Sequence, residues 1–135
     1  MKSKAQLFIL VASLILVFDL LGCIASRLLH FSYTYLQMGS SALYTLSGYL
    51  GFRYRRELVG GLQAGLIAGL TDSTAGWALS AAILSQLGSP EPRPTIFLIS
   101  IVVPLVTLVG GLCGLAGAAV AKGISLMEKD PGAVQ

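Results

Sequence analysis

Two aspartates, Asp19 and Asp72, stand inside long stretches that otherwise lack charge. A charged aspartate at the centre of a bilayer costs roughly 2.5–3.5 kcal/mol, so an acid in such a place faces a cavity, finds a partner or carries a proton. Each lies about 14 residues from the start of its stretch, about 21 Å along a helix. On helices running in the same direction the two carboxyl groups could meet, forming the proton or cation site that a small coupled carrier or channel would use. The alternative is structural. Trp77 could mark a membrane interface just beyond Asp72, and the hydroxyls of Thr71, Ser73 and Thr74 could satisfy that acid locally.

A second pattern concerns small residues. Gly61, Gly65 and Gly69 recur every fourth position, and Gly110, Gly114 and Ala118 repeat the device later in the chain. Residues four apart share one face of a helix, and without side chains there another backbone can approach closely. Such faces either pack on each other within one chain or form the interface of a homo- or hetero-oligomer. Pro104 precedes the second series and favours a kink.

The stretch 31–52 is too polar for a helix surrounded by lipid on all sides. Gln37, Ser41, Tyr44 and Ser47 fall at helical spacing, which predicts one face turned toward protein or water, a possible polar path. Arg53, Arg55 and Arg56 follow it as a basic cluster suited to anionic lipid headgroups or a partner protein. His30, beside Arg27, has too few potential ligands around it for a metal site. No phosphate loop, metal-ligand spacing or nucleophile paired with a base is present, so neither an enzyme nor a cofactor is expected. Cys23 and Cys113 are placed at different depths and read as small packing residues.

The elements that must position these groups follow from hydropathy. Hydrophobic residues make up 55% of the 135 and charged residues 11%, with a mean hydropathy of +0.81. A chain of that composition must be solvated largely by lipid. A hydrocarbon core about 30 Å thick needs roughly 20 apolar residues in a helix. Four stretches meet that length: 5–25, 31–52, 58–87 and 95–121. Each must be helical, because lipid leaves every backbone polar group to be satisfied internally.

The fold expected is therefore an all-α integral membrane protein, with four transmembrane helices in an up-down-up-down bundle spanning 1–127. A polar cytoplasmic tail, 128–135, follows. With both ends in the cytoplasm, Lys2, Lys4, Arg53, Arg55, Arg56, Lys122 and Lys129 lie inside and only Arg27 and Arg93 outside, as the bias of basic residues toward cytoplasmic segments requires. The N-terminal segment imitates a secretory signal, down to Leu20-Leu21-Gly22-Cys23, but Asp19 interrupts it beside the supposed cut, so no cleavage is expected.

Three functional readings arise. Foremost is a small accessory subunit of the cell (inner) membrane, packing through its glycine faces against copies of itself or other membrane proteins. A proton-coupled transporter or channel using Asp19 and Asp72 is the second, and a holin-like permeabilising oligomer the third. Net charge of +3 reflects membrane topology rather than nucleic-acid binding.

Overall fold

A computed structural model describes residues 4–29, 37–86 and 96–128. The described residues are helical and include no strand. Helix α1 spans Lys4–Leu28 and α2 spans Gln37–Arg55. The third helix is built in three parts: α3 (Leu58–Thr71), a π-helical turn (Asp72–Gly76) and α4 (Trp77–Gln86). Helix α5, Ile96–Met127, runs unbroken through Pro104 and ends six residues beyond the expected limit at 121. The first part of the expected second span, 31–36, lies outside the described residues.

Of the four expected spans, α1 (over Ala5–Ser26) and α5 are long and apolar enough to cross a membrane. Helix α2 lacks the apolarity, because serines, Thr45, Tyr44 and two terminal arginines take the places of aliphatic residues. The third helix is divided by its π turn, leaving parts of 14 and 10 residues on either side.

Small residues decide how α2, α3 and α5 pack. Gly60, Gly61, Ala64, Gly65, Ala68 and Gly69 are buried on α3, facing buried Gly110, Gly114 and Ala118 on α5. A methyl group built on Gly114 would lie 2.6 Å from the Gly61 carbonyl and 2.8 Å from the Gly65 Cα. One on Gly110 would lie 2.5 Å from the Gly65 carbonyl and 2.9 Å from the Gly69 Cα. As the numbers rise along α3 they fall along α5, so the two helices are antiparallel. Gly48 brings α2 to the same point, since a methyl there would overlap the Gly114 backbone. With no side chains between them, the three backbones come into close van der Waals contact along this seam.

Helix α1 joins differently, with larger side chains. Leu7, Val11, Ile15, Asp19 and Cys23 recur every fourth residue and are all buried, whereas Ile9, Leu10, Val17, Leu21 and Ile24 point outward. The inward row packs with Tyr44 and Ala68. Its main contacts are with α3, the π turn and α4, and fewer are with α2.

The α2–α3 connection is tight. Arg56 adopts φ 59, in the left-handed region where a side chain crowds its own backbone, and Glu57 is extended. Replacing Arg56 by glycine removes that strain. The detergent-solubilised chain is expected to gain roughly 0.5–1 kcal/mol and a higher thermal midpoint, net of the extra freedom glycine gives the unfolded chain. A lowered midpoint would show that the arginine side chain contributes more than its backbone costs.

Candidate functional site

The two aspartates meet at Gly76. Asp19 occupies the fourth place in the buried row of α1, with only 1% of its surface exposed. The spacing that buries Leu7, Val11 and Ile15 therefore carries a carboxyl group into the same interface. Asp72 opens the π turn. A methyl group on Gly76 would overlap Asp19 Oδ2 and lie 3.3 Å from Asp72 Oδ1. Both oxygens therefore adjoin the same point, and carboxylates interact strongly over separations of ~4–6 Å.

The π turn is defined by its backbone hydrogen bonds. The Asp72 N–H is shared between the Ala68 and Gly69 carbonyls, and the Trp77 N–H reaches back five residues to the Asp72 carbonyl. Neighbouring hydroxyls bond back to the preceding turn. Ser73 Oγ donates to the Gly69 carbonyl at 2.8 Å, and Thr74 Oγ1 donates to the Leu70 carbonyl at 2.6 Å. Single π turns inside α-helices are frequent at functional sites, because they re-aim side chains without ending the helix.

Helix α2 supplies the third member. The buried Tyr44 donates its phenolic hydrogen to Asp72 Oδ2, linking α2 to the π turn. Cys113 of α5 packs against the apolar cluster containing Tyr44. The assembled group is two carboxyls and one phenol drawn from three separate helices. Such a group can hold a proton or coordinate a small cation, because each carboxylate presents several lone pairs and the phenol can donate or accept.

The remaining candidate residues have other places. Gly61, Gly65, Gly69, Gly110, Gly114 and Ala118 meet one another inside the chain, so both glycine faces are occupied there. On α2 the expected polar face divides. Ser47 is buried and donates to the Leu43 carbonyl at 2.7 Å, while the Ser41 carbonyl accepts from Thr45 Oγ1 at 3.0 Å. Tyr44 is the member that reaches the acids; the Gln37 side chain lies outside the described residues. Arg53 sits 3.7 Å from Glu128, and Arg55 sits 3.7 Å from Glu57 and bonds the Gln63 side chain. Arg56 is exposed in the turn. Both cysteines are free thiols. Among the described residues, no three His, Cys, Asp or Glu side chains are grouped as a metal site would require.

Gly76 is the participant that spacing arguments on Gly61, Gly65 and Gly69 pass over, because it falls outside their four-residue register. The available signal is Thr71-Asp72-Ser73-Thr74, a run of hydroxyls around an acid within an apolar helix, followed closely by a glycine. No protein family, curated protein or solved structure matches this chain.

Proposed function

We propose that this chain is a four-span membrane carrier, up-down-up-down with both ends in the cytoplasm, in which Asp19, Asp72 and Tyr44 bind a proton or a small cation during transport. The observation that supports it is the convergence of two carboxyl groups from different helices on Gly76. Two ionised carboxylates held that close repel each other, and a bound proton or cation relieves the repulsion. Binding at the joint between α1 and the π turn would thereby be coupled to how tightly α1 sits on the rest of the bundle. That coupling is what a carrier needs to change its accessible side.

The location of the basic residues supports the orientation. The Arg53 to Glu128 contact places the end of α2 beside the end of α5, gathering Arg53, Arg55, Arg56 and Lys122 at one pole. A surplus of basic residues at one pole marks the cytoplasmic side.

Proteoliposomes loaded with a pH-sensitive dye test the proposal. Under an imposed membrane potential, vesicles containing the chain should acidify or alkalinise faster than protein-free vesicles, or do so when sodium or potassium is supplied on one side. Equal rates with and without protein under every gradient would refute a carrier.

An accessory subunit is the second reading, favoured by the exposed row Ile101, Leu105, Leu108 and Leu112 along α5, which another helix could cover as well as lipid. Such a contact would use this outer row, since the glycine faces are occupied within the chain.

A further inference from the structure

We infer that the basic pole at the α2–α3 turn docks the headgroup of an anionic phospholipid, with Arg56 as its principal contact. This rests on the membrane placement proposed above but not on transport.

The four cations of the pole are not equivalent. Arg53 and Arg55 each lie 3.7 Å from a carboxylate, Glu128 and Glu57 respectively, and Arg55 also bonds Gln63. Arg56 and Lys122 are exposed and, among the described residues, enter no ion pair. Arg56 stands in the left-handed conformation at the turn, beyond the end of the helix that carries Arg53 and Arg55. Among the described residues of the α2–α3 turn and the end of α5, two acids stand against four cations, and the charge outside these ion pairs is carried by Arg56 and Lys122.

Apolar surface adjoins those cations. Leu58 and Val59 are exposed directly after the turn, and Ile124, Leu126 and Met127 are exposed at the end of α5. A phosphate group over an acyl chain matches a guanidinium beside exposed aliphatic side chains in both charge and polarity. A nucleic acid or an acidic protein would satisfy the cations but leave the aliphatic residues in water. A planar guanidinium also suits a phosphate, to which it can donate two parallel hydrogen bonds.

The test uses the full chain purified in detergent, with native mass spectrometry of adducts formed with phosphatidylglycerol or with phosphatidylcholine of the same acyl chains. Wild type should favour phosphatidylglycerol. Arg56→Gly, which relieves backbone strain, should reduce that preference about fivefold, the effect expected for one interfacial cation. Arg56→Lys, which keeps the charge but loses the paired hydrogen bonds, should keep part of it, and Glu128→Gln, which releases Arg53, should raise it. Equal adducts with the two lipids, or a preference unchanged in Arg56→Gly, would overturn the inference. Retention of the chain in vesicles through an alkaline carbonate wash separates the two possible failures. A chain that washes out refutes the membrane placement and the lipid site together. One that is retained without a phosphatidylglycerol preference refutes the lipid site alone.

Discussion

Alanine at Gly65 or Gly114 is expected to lower the stability of the bundle by about 3 kcal/mol, the upper part of the usual range for overpacking a close-packed interior. The reason lies in what the added methyl would meet. At Gly65 it would overlap the Gly110 carbonyl and stand 2.7 Å from the Gly114 Cα; at Gly114 it would stand 2.6 Å from the Gly61 carbonyl. These are backbone atoms, so no rotation of a side chain can relieve the overlap, and α3 and α5 must separate. Separation removes contact along the whole seam, including the approach of Gly48 from α2. Gly123 provides the control, because a methyl there would have nothing within 4 Å. Gly123→Ala should be neutral or stabilising by up to about 1 kcal/mol, through better helix propensity alone. Unfolding by sodium dodecyl sulfate in mixed micelles measures all three variants. Costs at Gly65 and Gly114 no larger than at Gly123 would mean that the seam does not hold the bundle together. Because the seam is internal, the losses should not vary with protein concentration; a concentration-dependent loss would point to an interface between copies.

The glycine seam was legible because its information is local: four-residue spacing places small residues on one face whatever that face meets. What it meets was not local. The spacing of Gly61, Gly65 and Gly69 is the same for an internal partner as for a second copy, and only the fold shows Gly110 and Gly114 filling the role. The acids divide in a similar way. Asp19 continues the register of Leu7, Val11 and Ile15, but α1 is equally apolar on its outward face, at Ile9, Val17 and Leu21, so which row is buried was not readable from α1 alone. Its proximity to Asp72 depends on how α1 lies against the third helix, and on a π turn that shifts every later residue around the helix axis. Hydropathy does not register that turn, and the hydroxyl bonds of Ser73 and Thr74 do not mark it either, since Thr45, Ser47 and Thr107 make the same bond within regular helix. Helix α2 shows a further limit. Its polarity was plain, but serine hydroxyls that bond back to their own helix look the same in sequence as hydroxyls lining a path, and Ser47 belongs to the first kind. The ends of elements were least legible where a helix continues past a charge, as α5 does through Lys122 to Met127.

Gly76→Ala separates the work of the acid pair from the stability of the bundle. The added methyl would overlap Asp19 Oδ2 and approach Asp19 Cγ to 3.0 Å. These atoms are at the far end of a side chain, which can rotate away at modest cost, unlike the backbone met at Gly65. The variant should therefore fold with a loss of about 1 kcal/mol, near the low end of the overpacking range. Its carboxylate, however, must leave the position it shares with Asp72 beside Gly76, and a displacement of roughly 1 Å in a positioned group can cost about 10²-fold in rate. Proton- or cation-dependent flux in proteoliposomes should fall by one to two orders of magnitude, although both aspartates and Tyr44 are retained. Asp72→Asn should abolish the flux, because it removes one of the two charges and changes the group that accepts the Tyr44 hydrogen bond. The comparison between these variants carries the argument. Flux lost in Asp72→Asn but kept in Gly76→Ala would make Asp72 a site by itself, with Asp19 a bystander. Flux kept in both would remove the acids from the transport step. Loss in both, with Gly76→Ala still folded in the mixed-micelle assay, would tie the flux to the distance between the carboxylates and so to the single missing side chain that permits it.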